Sequence, residues 1–169
     1  MTETTPTCLP ILSVFGPGEA TEEELATAAA VGREAARAGW IVLTGGGPGV
    51  MAAACQGAAE AGGLTVGILP CARAGSGYPN PWVKVPIFTG LGMARNAINV
   101  LSGSLCIALG GGSGTLSEVA MAAKSGAELW WWHPWRVVAP GGLTPLSYRS
   151  FSDAAELLES LRDRFAAGP

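Results

Sequence analysis

Basic side chains are scarce in this sequence, and histidine is scarcer. Ten lysines and arginines stand against thirteen acidic residues in a chain of 169, only Lys84 and Lys124 are lysines, and the formal net charge is −3. Proteins that bind nucleic acid need a dense basic surface to displace the counterions of the phosphates, so we expect no nucleic-acid partner. His133 is the single histidine, which argues against a histidine-based metal site, and we expect no metal bound by the protein's own side chains.

Long hydrophobic runs and paired cysteines are also missing. No run approaches the roughly 18 apolar residues of a membrane span, so we expect no membrane partner. Residues 1–9, interpreted as a flexible N-terminus, lack the basic and apolar regions of a secretory signal. The four cysteines (Cys8, Cys55, Cys71 and Cys106) are scattered without a C-x-x-C pair, which predicts reduced, buried thiols in a cytoplasmic protein.

What the sequence has is a regular alternation of apolar runs with alanine-rich stretches of helical length. Strands are predicted at residues 10–15, 40–44, 64–69, 82–88, 104–109 and 129–132. Helices are predicted at residues 21–39, 50–61, 94–101, 115–124 and 154–165. Such alternation is typical of a parallel sheet covered by helices. We predict one α/β domain over residues 1–169, with a Rossmann-like, doubly wound, mainly parallel sheet and helices on both faces.

Glycine is plentiful, with 25 residues, and it is clustered. Two clusters, Gly45–Gly49 and Gly110–Gly114, follow a predicted strand and precede a predicted helix, which places them at the carboxyl edge of the sheet, where ligands bind in this fold. Glycine lets the backbone approach an anion, and a helix N-terminus offers free N–H groups. The two loops therefore predict a phosphorylated ligand; the alternative is that they are only tight turns.

The familiar phosphate-binding motifs do not fit these loops. Neither cluster carries the Lys-Ser/Thr of a Walker A sequence, so nucleoside triphosphatase chemistry is unsupported. Gly16-Pro-Gly18 does not complete G-x-G-x-x-G, because Thr21 stands where the third glycine would be. Thr44 occupies the position at which a dinucleotide-binding protein has an acid for the ribose. NAD is therefore not expected.

Three motifs together resemble a known group. They are Leu43-Thr-Gly-Gly-Gly-Pro-Gly-Val-Met51, Gly90-Leu-Gly-Met-Ala-Arg-Asn96 and Gly110-Gly-Gly-Ser-Gly-Thr-Leu-Ser-Glu118. From Ser13 to Ser125 the chain resembles the LOG-like (lysine decarboxylase-like) Rossmann superfamily. One branch of that superfamily contains cytokinin-activating phosphoribohydrolases, and another contains molybdenum cofactor carrier proteins.

The resemblance is closer to the carrier branch. The hydrolases carry P-G-G-x-G-T-x-E-E and an Arg-Lys pair in the preceding helix, whereas this chain has Leu109 for the proline, Ser117 for the first glutamate and Asn96 for the lysine. Arg95 and Glu118 match the catalytic arginine and glutamate of the hydrolases. No catalytic residue is expected in a carrier, and these two are the candidates if the chain is a hydrolase.

The resemblance implies a protein that binds and protects a phosphorylated pterin, the molybdenum cofactor (molybdopterin), as its cargo. The dithiolene of the pterin would hold the metal, acceptor molybdoenzymes would receive the cofactor, and the chain would form a homo-oligomer, either a dimer or a tetramer. The alternative is a phosphoribohydrolase that cleaves the N-glycosidic bond of nucleoside 5′-monophosphates. A third interpretation is a sensor domain for a nucleotide.

The predicted ligand-binding residues come from the glycine-rich loops and from the motif around Arg95. They are Gly16, Thr44, Gly45, Gly46, Gly47, Arg95, Asn96, Gly110, Gly111, Gly112, Ser113, Gly114, Thr115 and Glu118. Arg95 offers a fork of donors to a phosphate, or it is a surface arginine at a helix start. The hydroxyls of Thr44, Ser113, Thr115 and Ser117 either contact ligand oxygens or cap helices.

Glu118 has two interpretations. As a catalytic group it would activate water or stabilise an oxocarbenium-like sugar, as carboxylates do in glycoside cleavage. As a structural group it would close a capping box with Thr115, of the same S/T-x-x-E form that Thr21 and Glu24 show at the first helix.

Tryptophans cluster in Trp130-Trp131-Trp132-His133-Pro134-Trp135. The favoured interpretation is a buried strand whose tryptophans pack against helices or a partner subunit. The alternative is an aromatic platform for a flat ring such as a pterin. His133 is interpreted as a hydrogen-bonded residue at the rim and not as a ligand.

Overall fold

Seven parallel strands form one sheet in the computed structural model, which describes residues 8–75, 77–142 and 146–168. They are β1 Ile11–Phe15, β2 Ile41–Thr44, β3 Thr65–Leu69, β4 Val85–Phe88, β5 Leu105–Leu109, β6 Leu129–Trp132 and β7 Arg149–Phe151. The strand order is β4-β3-β2-β1-β5-β6-β7, and every neighbouring pair is parallel. The predicted fold class is confirmed. Residues 1–7 of the predicted N-terminal segment lie outside the described residues.

Helices cover both faces of this sheet. They are α1 Glu22–Arg37, α2 Val50–Glu60, a short 3₁₀ helix Gly92–Arg95, α3 Asn96–Ser102, α4 Ser113–Ser125 and α5 Ala154–Ala166. One core lies under α1, α2 and α5, and a second lies under α3 and α4. In β5, Leu105, Ile107 and Leu109 belong to the first core and Cys106 and Ala108 to the second, as the two-residue period of a strand requires.

None of the helices within the described ranges is long and apolar enough to pass through a membrane.

The chain reverses its direction across the sheet between β1 and β5. It runs outward from β1 to β4 on one side and then places β5, β6 and β7 on the other side of β1. A ligand crevice is expected at such a switch point, outside the carboxyl ends of the strands. The loops that hold Gly47 and Gly112 follow the parallel strands β2 and β5, so they lie at this same edge. Their predicted placement is confirmed.

Of the two predicted capping boxes, only one forms. The hydroxyl of Thr21 accepts a hydrogen bond from the N–H of Glu24 at 3.2 Å, and the Glu24 carboxylate accepts one from the N–H of Thr21 at 2.8 Å. The box predicted for Thr115 and Glu118 is wrong, because α4 already begins at Ser113. Thr115 therefore lies inside the first turn of α4, and Glu118 lies almost one turn further along.

The tryptophan-rich segment forms the buried strand β6. All three of its tryptophans are buried, and the indole N–H of Trp131 donates to the carbonyl oxygen of Gly110 at 2.8 Å. The aromatic-platform interpretation is therefore wrong for β6, because no ring face of the strand is open to a ligand. Trp135, which is 46% exposed, lies beyond the end of the strand.

Strand β7 is missing from the sequence-based prediction. It has three residues, of which only Phe151 is buried, so it produces no apolar run. The ring of His133, directly after β6, lies beside the loop that follows β7, with Nε2 at 2.9 Å from the carbonyl oxygen of Ser152. The prediction of a hydrogen-bonded histidine is confirmed.

All four cysteines are free thiols. Cys55 and Cys106 are buried as predicted, because α2 and β5 place them in the interior. Cys71 is half-buried and Cys8 is exposed, which corrects the expectation of four buried thiols. Both of these residues lie in connecting segments at the ends of strands, where nothing packs over the whole side chain.

Candidate functional site

A cavity of about 500 Å³ opens at the switch point between β1 and β5. Its volume lies within the range of small-molecule sites, roughly 300–1,000 Å³. Loops after β1, β2, β3 and β5, the 3₁₀ helix and the N-terminal parts of α2, α3 and α4 provide its walls. The lining residues are Gly16, Pro17, Gly18, Pro48, Met51, Pro70, Tyr78, Gly92, Met93, Arg95, Asn96, Gly112, Ser113, Gly114, Thr115 and Glu118.

The N-terminus of α4 forms one wall of the cavity. The N–H groups of Ser113, Gly114 and Thr115 belong to the first turn, where a helix has no internal acceptor for them. Thr115 is only 3% exposed, and its buried hydroxyl has no hydrogen-bond partner among the described residues. Free N–H groups, the positive end of a helix dipole and an unpaired hydroxyl together favour an anion here.

Arg95 lies beside this wall and is only 8% exposed, so the surface-arginine interpretation is wrong. Its guanidinium packs directly against the backbone of Gly45, and a β-carbon at that position would collide with it. Nη1 donates to the side-chain oxygen of Asn96, while Nε is buried without a partner among the described residues. An arginine with a donor left over at the wall of a cavity is suited to bind a phosphate or a carboxylate.

Glu118 is 7% exposed, and its carboxylate contacts one residue of the 3₁₀ helix and one of α3. Its Oε1 accepts a hydrogen bond from Asn99 Nδ2 at 3.0 Å and lies 3.4 Å from Arg95 Nη1. Burial raises the pKa of Glu118 to about 7, and the Asn99 hydrogen bond and the Arg95 charge offset only part of that rise. A carboxyl group with this pKa exchanges protons near neutral pH.

The two residues that replace the hydrolase-type lysine and glutamate bond to each other. Asn96 Nδ2 donates to the hydroxyl of Ser117 at 3.0 Å, and that hydroxyl donates to the carbonyl oxygen of Gly114 at 2.7 Å. The pair links α3 to the first turn of α4. Asn96 and Ser117, which differ from the hydrolase pattern, therefore form a structural contact at the site. The Ser117 hydroxyl is used for hydrogen bonds to Asn96 and to the backbone of α4.

Eight of the fourteen predicted ligand-binding residues line the cavity. They are Gly16, Arg95, Asn96, Gly112, Ser113, Gly114, Thr115 and Glu118. Residues as far apart along the chain as Gly16 and Glu118 are thereby brought to one place by the sheet.

The other six predicted residues are not among those that line the cavity. They are Thr44, Gly45, Gly46, Gly47, Gly110 and Gly111. The hydroxyl of Thr44 is used internally, because it accepts the N–H of Gly46 at 3.0 Å and meets the Cys55 thiol at 3.4 Å. Gly111 lies under the indole of Trp135, where a β-carbon would overlap the ring. These glycines let side chains from elsewhere pack closely on the loops.

Sequence reasoning missed the cavity wall that is made by Met51, Tyr78 and Met93. Tyr78 lies in the segment predicted as a loop after β3, and nothing in its immediate sequence marks it as a site residue. Its position in the chain is the one clue, because every loop that follows a parallel strand lies at the carboxyl edge of the sheet, where ligands bind.

Comparisons with known proteins show the family of the chain and solved structures with a similar fold. Residues 9–139 match the model of the SLOG cluster4 family. An uncharacterized protein of Archaeoglobus fulgidus is 42% identical over 118 residues, which are 70% of this chain and 76% of the relative. The structure of the molybdenum cofactor binding protein of Rippkaea orientalis is 40% identical, with a TM-score of 0.73 over 94% of this chain and 87% of that one. The Moco carrier protein of Chlamydomonas reinhardtii is 36% identical, with a TM-score of 0.76 over 96% of this chain and 100% of that one.

Proposed function

The chain belongs to the SLOG cluster4 family, and we propose that it is a carrier that binds and protects the molybdenum cofactor. Two structures that resemble it over nearly its whole length are those of a molybdenum cofactor binding protein and a Moco carrier protein. The cofactor is a pterin with a terminal phosphate, and it would be held here as cargo and not as a catalytic group.

One observation carries this proposal. The cavity combines the free N-terminus of α4 with two buried donors that have no partner among the described residues, Thr115 Oγ1 and Arg95 Nε. Buried polar atoms are normally paired, so two of them at the same cavity favour a ligand that supplies acceptors. The terminal phosphate of the pterin supplies several acceptor oxygens and a negative charge.

The metal of the cofactor requires no ligand from this chain in the proposal. The pterin's dithiolene would hold it, and the described residues contain no group of three or more His, Cys, Asp or Glu side chains placed to bind a metal ion. A cavity of about 500 Å³ is large enough to cover the pterin and its phosphate.

The proposal extends to a cytoplasmic protein that delivers its cargo to acceptor molybdoenzymes and works as a homo-oligomer, a dimer or a tetramer. Apolar side chains on the outer side of α3 and α4 support self-association, since Leu101 is 73% exposed and Met121 is 38% exposed beside it. Exposed apolar patches often mark protein interfaces. Leu101→Glu should lower the mass measured by light scattering to that of a smaller assembly or a monomer, while Leu64→Glu, at an exposed loop, should leave it unchanged.

The test of the carrier function is the identity of the bound molecule. Protein purified from cells that make the cofactor should release, on denaturation, a compound with the mass and absorbance of a molybdopterin or its oxidised pterin. The Arg95→Ala variant, purified in parallel, should carry clearly less. Release of a nucleotide in place of a pterin would contradict the proposal.

A second candidate function is favoured by Glu118. Its carboxyl group, with a pKa raised to about 7 by burial, lies beside Arg95 in the cavity wall, as a phosphoribohydrolase would require. Arg95 would hold the phosphate, and Glu118 would activate water or stabilise the sugar cation. For a carrier, incubation with AMP or isopentenylated AMP should release free base slowly or not at all. Steady turnover of about 1–10 per second that disappears in Glu118→Gln would decide for the hydrolase.

A further inference from the structure

Part of the cavity lining away from the first turn of α4 is apolar and aromatic. Met51 and Tyr78 meet over Gly47, where a β-carbon would lie 2.8 Å from the Met51 methyl group and 3.0 Å from the Tyr78 hydroxyl. Pro48 and Pro70 extend the same wall. The charged side chains that line the cavity, Arg95 and Glu118, come from the 3₁₀ helix and α4.

Two hydrogen bonds donated by Asn80 connect the loops that carry Tyr78 and Gly47. Asn80 donates from its side-chain amide to the carbonyl oxygen of Gly47 at 2.9 Å, and its own N–H donates to the carbonyl oxygen of Gly46 at 2.8 Å. Asn80 is 5% exposed and follows Tyr78 by two residues. The loop after β3 is thereby held to the glycine loop after β2 at a point two residues from Tyr78, which lines the cavity.

The sheet order sets the distance between the two walls. Met51 follows β2 and α4 follows β5, and these strands are separated by β1 alone. Neighbouring strands are about 4.8 Å apart, so the two walls lie on the order of 10 Å from each other. A bicyclic or tricyclic ring with a phosphate on a one-carbon arm has about this length.

We propose that Tyr78 and Met51 form the subsite that recognises the flat heteroaromatic ring of the ligand, while the α4 end takes its phosphate. Tyr78 is then a specificity-determining residue. A ligand whose aromatic ring packs on the face of the Tyr78 ring binds more tightly than inorganic phosphate, which has no ring. Methionine adapts to the outline of the ring and makes favourable contacts with aromatic groups. This inference rests on the proposed binding of a phosphorylated pterin.

Two compounds test the subsite separately from the anion site. Inorganic phosphate occupies only the α4 end, and 6-hydroxymethylpterin phosphate occupies both ends, so the ratio of their affinities measures the contribution of the ring. Tyr78→Ala should weaken the binding of the pterin phosphate by roughly five- to a hundredfold, the range of aromatic–base stacking. Its affinity for inorganic phosphate should stay within about twofold of the wild-type affinity.

Matched variants keep the test decisive. Tyr78→Phe retains the ring face and should bind the pterin phosphate nearly as wild type does. Met51→Ala should weaken the binding of the pterin phosphate, whereas Leu64→Ala, in the exposed loop before β3, should not. Calorimetric titration measures all affinities, and circular dichroism verifies the fold of each variant.

The possible results separate the two proposals. If wild type binds the pterin phosphate no better than phosphate, or if Tyr78→Ala and Met51→Ala both bind it normally, the ring subsite is wrong and the anion site stands. If wild type binds neither compound, the proposed function fails and the ring subsite fails with it. Equal losses in Tyr78→Ala and Tyr78→Phe would also overturn packing on the ring face.

Discussion

Arg95 Nη1 lies 3.4 Å from Glu118 Oε1, and the two side chains are only 10% and 9% exposed. The pKa of Glu118 nevertheless stays raised, to about 7, because the loss of hydration on burial outweighs the charge of Arg95. An anion bound beside Arg95 would compete with Glu118 for the same guanidinium and would raise that pKa further. Variants of these two residues therefore separate binding from acid–base chemistry.

Arg95→Ala should weaken the binding of phosphate or the cofactor roughly ten- to a hundredfold, which corresponds to about 1.5–3 kcal/mol for a charge-assisted contact. Glu118→Gln should bind nearly as wild type does, because a carrier needs no titrating group there. Calorimetric titration below pH 7 makes the comparison direct, since Glu118 is then mainly protonated and resembles glutamine. Normal binding by both variants, with base release from a nucleotide lost only in Glu118→Gln, would contradict the carrier function.

The stability of the ligand-free protein should fall as the pH rises toward 7. The pKa of Glu118 is raised from 4.5 to about 7 in the folded state, so its contribution to the free energy of unfolding is complete below about pH 4.5 and is lost as the pH rises through 7. The change is of the order of 3 kcal/mol. Urea unfolding of wild type and Glu118→Gln over this range measures it.

The difference between the two proteins is the informative quantity, because every other titrating group is common to both. Glu118→Gln should lack this pH-dependent loss. Cys106 contributes nothing in this range, since burial raises the pKa of its thiol to about 12. Parallel stability curves for wild type and variant would show that Glu118 titrates at an ordinary pH.

Two threonine-to-valine changes should affect different properties, phosphate binding for Thr115→Val and stability of the fold for Thr44→Val. Thr115 Oγ1 is buried without a partner among the described residues, so Thr115→Val should leave the thermal stability of the ligand-free protein unchanged or raised, and weaken phosphate binding about three- to tenfold. Thr44 Oγ1 accepts the N–H of Gly46, so Thr44→Val should destabilise the fold by about 1–3 kcal/mol. Calorimetric melting and phosphate titration distinguish them; a strongly destabilised Thr115→Val would mean that its hydroxyl is structural.

Gly57→Ala should destabilise the protein, although alanine favours a helix by about 1 kcal/mol over glycine. A β-carbon on Gly57 would overlap the carbonyl oxygen of Ala29, where α1 and α2 cross, and overpacking of this kind costs about 1–3 kcal/mol. Gly114→Ala, at a helical position with open space around it, is the matched control and should melt at or above the wild-type temperature. A higher melting temperature for Gly57→Ala would mean that the two helices separate at little cost.

The candidate site was predictable only in part, for reasons that particular residues make clear. The residues around the N-terminus of α4 were predictable, because a glycine loop between a strand and a helix has a fixed place in a parallel sheet. Tyr78 was not, since its position depends on the two hydrogen bonds of Asn80 to a loop more than thirty residues away. Thr44 and Thr115 both follow or precede a glycine-rich loop, so the sequence does not distinguish them. In the structure, the Thr44 hydroxyl accepts the N–H of Gly46, whereas the Thr115 hydroxyl has no partner among the described residues.

The sequence by itself determined the fold class, the strand–helix alternation and the position of both glycine loops at one edge, because local hydrophobic period and the geometry of a parallel sheet are sufficient for these. It also favoured a buried strand at β6, because three consecutive tryptophans carry a large apolar surface, but packing decided against the aromatic platform. Tertiary structure alone decided that Gly45 makes room for Arg95, that Glu118 bonds to Asn99 and does not cap α4, and that Tyr78 reaches the cavity. Each of these depends on contacts between segments that are distant in the chain, and local sequence patterns do not predict such contacts.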